Sequence, residues 1–166
     1  LAVLVASDGT RYLGGTFSGY VARWDSPSWT TLGTVNAAVR SLAEDPDGTI
    51  YAAGDFTTPA THIASWNGTT WTGLGEAGCD PNAVIVGLDG TVYVGGSAGA
   101  TARVASWDGT TWTPLGGTTG PGGDVAALLI DSQGRLLAAG NFTDGVKRWN
   151  ATTTTWETLG DGLAVT

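Results

Sequence analysis

The segment Ile63-Ala-Ser-Trp66-Asn-Gly-Thr-Thr-Trp71-Thr-Gly-Leu74-Gly75 returns almost unchanged as Val104-Ala-Ser-Trp107-Asp-Gly-Thr-Thr-Trp112-Thr-Pro-Leu115-Gly116. Looser versions flank it, at Trp24/Trp29 with Leu32-Gly33 and at Trp149/Trp156 with Leu159-Gly160. The eight tryptophans thus form four pairs, whose first members lie 42, 41 and 42 residues apart. A steady period near 40 residues means one supersecondary unit used four times.

Upstream of each tryptophan pair stands a second hairpin signal. An apolar run (1–6, 39–43, 83–87, 125–130) meets a tight turn: Ser7-Asp8-Gly9, Pro46-Asp47-Gly48, Leu88-Asp89-Gly90 or Ser132-Gln133-Gly134. Asp-Gly between apolar runs is the strongest short hairpin signal. The next run closes on a glycine: Gly15, Gly54, Gly96 or Gly140. A third run (20–24, 62–66, 103–107, 146–149) ends at the first tryptophan, and a fourth carries the second. Each repeat therefore holds four short antiparallel strands, and no helical period appears. The first run is the most continuously apolar, so it is expected to be buried on both faces. The glycines closing the second run let backbones approach closely.

Four-stranded sheets at this period predict an all-β chain: a β-propeller of four four-stranded antiparallel blades, or a segment of a longer propeller or repeat array. One domain is expected over 1–166. Its repeats fall at approximately 1–33, 34–75, 76–116 and 117–160, with 161–166 leading toward a next strand or ring closure. The chain starts at Leu1 without a basic leader, which reads as a processed or excised piece.

The phrase from the second-strand glycine to Trp-x-x-Leu resembles the kelch repeat. The fourth repeat is the best match, from Ala139-Gly140-Asn-Phe142 through Trp149 to Trp156-Glu-Thr-Leu159. The first half of the unit, as in Asp131-Ser-Gln-Gly134, resembles the Asp-x-x-Gly hairpin of other bacterial propeller repeats. Two departures stand out. Tryptophan replaces the usual kelch tyrosine of the third strand, and Gly-Gly is often Ala-Gly. The resemblance implies a propeller, usually with a protein-binding or carbohydrate-related role, and no particular activity.

Composition narrows the partners. Charged residues are 13% of the chain, against about 25% in ordinary soluble domains, and the net charge is -8. That balance disfavours nucleic acid, which needs a Lys/Arg footprint, and an anionic membrane surface. No apolar run reaches the ~18 residues of a spanning helix, so no membrane insertion is expected. Cys79 is alone, which excludes an internal disulfide, and reads as a small loop residue rather than a nucleophile. His62 is the only histidine, so no metal can gain two imidazoles. No metal and no cofactor are expected. Asp8, Asp47 and Asp89 fit turn chemistry and lack the spacing of a calcium loop.

Strand direction alternates, so the Asp-Gly turns and the turns between paired tryptophans share one end of each sheet. The other end carries loops 16–19, 55–61, 97–102 and 141–145 and links 34–38, 76–82 and 117–124, which differ from repeat to repeat. Function concentrates in variable loops on a rigid scaffold. The candidate ligand- or partner-binding residues at that end are Phe17, Tyr20, Phe56, His62, Asp80, Asp124, Phe142 and Asp144. Phe17, Phe56 and Phe142 are equivalent, and read as wedges between blades before they read as a sugar platform; the third repeat has Ala98 there. Asn67, Asn141 and Asn150 each begin an Asn-x-Thr glycosylation acceptor.

The expected function is a non-enzymatic, extracellular or surface-exposed binding or assembly module, such as an adhesin, virion or filament component. Its partner would be a protein or a second copy of itself. A lectin-like propeller with a carbohydrate ligand is the alternative. A glycan-active enzyme comes third, because one histidine and one cysteine supply little for catalysis.

Overall fold

The computed structural model describes residues 1–159, and within them every repeat forms its own sheet in strict chain order. Blade 1 holds β1 (Ala2–Val5), β2 (Arg11–Gly14), β3 (Val21–Asp25) and β4 (Ser28–Thr31). Blade 2 holds β5 (Val39–Glu44), β6 (Ile50–Gly54), β7 (Ile63–Trp66) and β8 (Trp71–Gly73). Blade 3 holds β9 (Cys79–Val86), β10 (Val92–Ala98), β11 (Val104–Trp107) and β12 (Trp112–Pro114). Blade 4 holds β13 (Asp124–Ile130), β14 (Leu136–Asn141), β15 (Val146–Asn150) and β16 (Thr155–Thr158). All neighbours are antiparallel, and no helix occurs among the described residues. The reading of 161–166 as a lead into a next strand falls outside the described residues.

Turn chemistry sets the hairpins. In the first turns a carboxylate accepts backbone N–H groups across the bend: Asp8 from Thr10 (2.8 Å), Asp45 from Asp47 and Thr49 (2.8 and 3.0 Å), Asp131 from Gln133 and Arg135 (both 2.9 Å). The following glycines take positive φ, 85° at Gly9 and 83° at Gly48, which side chains resist. Between paired tryptophans Asn67, Asp108 and Asn150 do the same work with a side-chain oxygen.

Asp108 accepts from both the N–H and the hydroxyl of Thr110 and of Thr111. These bonds hold its carboxyl well below the ordinary 3.8, the backbone N–H of Thr111 contributing most. A depressed carboxylate stabilises the fold in full above its ordinary pKa and loses that contribution as pH falls below it. Asp8, Asp25, Asp131, Asp144 and Glu157 shift the same way, so the melting temperature is expected to fall as pH drops through the carboxylate range. Asn67 fills the Asp108 place in blade 2 without titrating. Asp108→Asn should therefore melt below the parent at pH 7, where the charged acceptor contributes, and approach the parent on acidification, a comparison that melting curves at pH 7 and pH 3 make directly.

Each tryptophan pair sits directly opposite across its hairpin, with ring centroids 5.2–5.4 Å apart in tilted or edge contact. Such pairs contribute about 0.5–1.5 kcal/mol beyond their buried area.

The chain groups into two compact units, one from Leu1 to Glu76 and one from Ala77 onward, each holding two blades. The same joint recurs in both. In the first unit Val39 lies over Gly14, its Cγ1 2.6 Å from where a Cβ would stand, and the Trp71 indole N–H donates to the Leu32 carbonyl at 2.7 Å. In the second unit Val125 lies over Gly95 at 2.8 Å, and the Trp156 indole N–H donates to Leu115 at 2.9 Å. The first core gathers Val21, Leu32, Val39, Ile50, Phe56, Trp66 and Trp71. The second gathers Val104, Leu115, Val125, Leu136 and Phe142, with Trp149 and Trp156 against it.

Three expectations are corrected. The first strands are not all buried on both faces: β1 alternates, with Leu4 packed on the first core and Val3 and Val5 exposed, and Leu129 of β13 is exposed too. Within its unit β1 has a blade against only one face, so its other apolar row stays in water. Cys79 is also not in a loop. It opens β9, pairs with Ala98 and is buried, because the inner hairpin of blade 3 continues past a register shift at Gly95/Gly96. The loop that the sequence placed over 97–102 is shorter by Ser97 and Ala98 for the same reason.

Candidate functional site

At the variable end of the sheets, three loops close by one device. The loop joining the second and third strands runs to Tyr20, His62 and Gly145 in blades 1, 2 and 4. The N–H of that residue donates to the carbonyl of Phe17, Phe56 or Phe142, at 3.0, 2.8 and 2.8 Å. Its own carbonyl accepts the N–H of Gly15, Gly54 or Gly140, at 2.9, 3.0 and 3.1 Å. The geometry demands a left-handed backbone, with φ of 58°, 69° and 69°. Gly145 meets that demand without steric cost. Tyr20 and His62 meet it against a steric cost of about 1 kcal/mol each.

Neighbouring bonds fix these loops. Asn36, in the link before β5, accepts from the N–H groups of Thr57 and Thr58 (2.8 and 3.1 Å) and donates to the Thr57 hydroxyl (3.0 Å). Arg40 pairs with Asp55 at 2.7 Å. His62 directs Nδ1 at the Gly54 carbonyl, 2.9 Å away. In the second unit Arg103 pairs with Asp124, and Asp144 accepts from the Thr158 hydroxyl (2.8 Å) and lies 3.4 Å from the Lys147 ammonium. The Thr158 bond, then Lys147, holds the Asp144 carboxyl below its ordinary range.

The eight candidate residues divide by exposure. Phe56 is fully buried and Phe142 nearly so, each inside its unit's core, where neither ring offers a surface. Phe17 and Tyr20 are half-buried, and Tyr20 packs against the first core. His62 and Asp144 are half-buried, whereas Asp80 and Asp124 are exposed. Asp80 and Asp124 lie on β9 and β13 rather than in links. The three glycosylation candidates also differ. Asn67 and Asn141 are exposed. Asn150 is half-buried, and its amide nitrogen donates to Glu157 at 2.5 Å. Sequence reasoning missed the grooves beside the inter-blade tryptophans. One, about 320 Å³, is lined by Leu32, Thr69, Thr70 and Trp71, and an equivalent of about 310 Å³ by Gly116, Thr155 and Trp156. The repeated Thr-Thr-Trp phrase was their visible signal.

For catalysis the inventory is thin. Burial, with Asp80 adding to it, pushes the Cys79 thiol up to about 12, so it stays protonated at neutral pH. Among the described residues no three His, Cys, Asp or Glu side chains gather as metal ligands, and no helix is long and apolar enough to cross a membrane.

Four four-stranded antiparallel blades define a β-propeller, and solved structures bear out that class. The chain is similar to the hydrazine synthase of Kuenenia stuttgartiensis, with a TM-score of 0.66 at 15% identity over 93% of this chain and 47% of that one. It is similar to the virginiamycin B lyase of Staphylococcus aureus, in a structure of the inactive H270A form with quinupristin, with a TM-score of 0.64 at 13% identity over 90% and 52%. It is also similar to YCF48 bound to D1 peptide, with a TM-score of 0.64 at 15% identity over 95% and 53%. At these identities the likeness is one of fold. The chain spans about half the length of these structures. No protein-family model and no curated protein sequence matches it, so the kinship with kelch repeats stays a resemblance.

Proposed function

We propose that the chain is a non-catalytic propeller module that binds a protein partner through the loop end of its first unit, with Tyr20 and His62 at the contact. One observation carries this reading: both residues are held left-handed where Gly145 serves in blade 4. Strain that glycine would remove persists where a side chain has work to do. The bonds of Asn36, in the link, and of Arg40, on β5, to the 55–58 segment make the surface rigid, which lowers the entropy cost of binding. A propeller of the same fold, YCF48, holds a peptide. The buried thiol of Cys79 and the engagement of His62 Nδ1 with a carbonyl speak against nucleophilic catalysis. The low charge and the Asn-x-Thr acceptors at exposed Asn67 and Asn141 support an extracellular or surface setting.

A display selection of random peptides on the immobilised chain tests the reading. His62→Asn and Tyr20→Asn keep a residue that tolerates the left-handed backbone. Selected peptides should bind each variant at least tenfold more weakly, about 1.4 kcal/mol, while circular dichroism stays unchanged. Peptide binding indifferent to both substitutions, or binding only on a glycan array, would sink the proposal.

A further inference from the structure

The repeats let each blade be compared with its neighbours position by position, and blade 1 stands apart. Trp71 and Trp156 each donate to a carbonyl of the preceding blade in their unit, and Trp71 is only 9% exposed. The equivalent Trp29 is 46% exposed. Leu42 and Leu128 pack over Gly14 and Gly95 of the preceding blade; the equivalent Val3 is 69% exposed. Glu44 reaches back to Ser7 with bonds of 2.7 and 2.9 Å, and Ile130 packs on the second core; the equivalent Val5 is 62% exposed. Three positions that in blades 2 and 4 receive the preceding blade of their unit therefore meet water in blade 1.

Blade 4 shows the converse. Leu32 and Leu115, whose carbonyls accept the indole N–H groups, are each 7% exposed, whereas the equivalent Leu159 is 38% exposed. Leu4 and Ile85 pack against their cores, whereas the equivalent Leu129 is 57% exposed. One exposed face is built to receive a preceding blade and the other to receive a following one. We propose that blade 4 of a second copy of this chain seats against blade 1, head to tail. Trp29 then meets Leu159, and Val3 and Val5 meet the Leu129 face. A contact between unlike faces either closes or propagates, and the smallest closed ring holds two chains. The similar solved structures, of which this chain spans about half, match a two-chain ring in size. The inference uses blade faces and does not depend on the loop-end reading above.

Sedimentation equilibrium of the 166-residue chain should give twice 16.8 kDa, that is 33.6 kDa. Val3→Arg and Leu159→Arg each place a charge in the contact at a side chain that the single chain leaves exposed. Each should weaken association at least tenfold, with an unchanged far-ultraviolet spectrum. Mixing the two variants should restore a 33.6 kDa species, because one of the two contacts is then wild type at both faces. A mass of 16.8 kDa at every concentration, or a larger open assembly, overturns the proposal. So does a Leu159→Arg chain that stays paired while Val3→Arg does not, since blade 1 would then be meeting blade 1.

Discussion

Trp71→Ala is expected to destabilise the first unit by about 3–5 kcal/mol, the usual range for emptying a buried tryptophan site. The side chain does three things at once. Its ring is buried in the first core, it packs 5.4 Å from Trp66, and its N–H supplies the Leu32 carbonyl. Truncation leaves a cavity between blades 1 and 2 and strips that carbonyl of its partner. Trp29→Ala is the control. It removes the same residue from the same hairpin position, but nearly half its surface is already in water. At a dilution where the chain is a single copy it should cost about 1 kcal/mol, the size of its contact with Trp24. Urea unfolding followed by circular dichroism measures both. Two compact units can melt separately, so the loss should be read in the transition of the first unit. Equal losses for the two variants would refute this account of the joint.

The tryptophan period made the sheets legible, because each pair marks a third and a fourth strand and its turn. The Asp-Gly signals located the first hairpins, and Asp8 and Asp89 do close their turns, whereas in blade 2 Asp45 rather than Asp47 is the acceptor. What the repeats could not reveal is burial, since Val3 and Leu128 are equivalent in sequence and differ only in whether a blade lies against them. The site was legible in part. Phe17, Phe56 and Phe142 appeared as one repeated position, but their role as carbonyl acceptors for Tyr20, His62 and Gly145 needs backbone angles that no pattern of residue types encodes. The length of β9 and β10 was hidden for a related reason. A register shift after Gly95 lets the strands run on through residues such as Asp80 and Pro81 that read as a link.

Gly96→Ala is expected to cost about 3 kcal/mol, at the upper end for overpacking. The residue sits inside the second strand of blade 3, where the register shift folds the opposing chain under it. A Cβ at Gly96 would stand 1.8 Å from the Asp80 carbonyl oxygen and 2.7 Å from the Pro81 Cα, and backbone atoms cannot swing aside as a side-chain end can. Gly54 and Gly140 face the same obstacle, at 2.1 Å from the Ala38 oxygen and 2.0 Å from the Asp124 oxygen, beside the shifts at Val39/Ser41 and Val125/Ala127. The equivalent Gly15 does not. Its Cβ would meet Leu1 Cδ1 at 3.0 Å and the Phe17 ring at 3.3 Å, both able to give way. The glycine is therefore required by close backbone approach where the strand pair shifts register, and Gly15→Ala should cost less than about 1 kcal/mol. Parallel unfolding curves for Gly96→Ala, Gly140→Ala and Gly15→Ala decide the matter: comparable losses in all three would refute the bulge as the reason for glycine, because the entropy of the unfolded chain, common to every glycine, favours alanine.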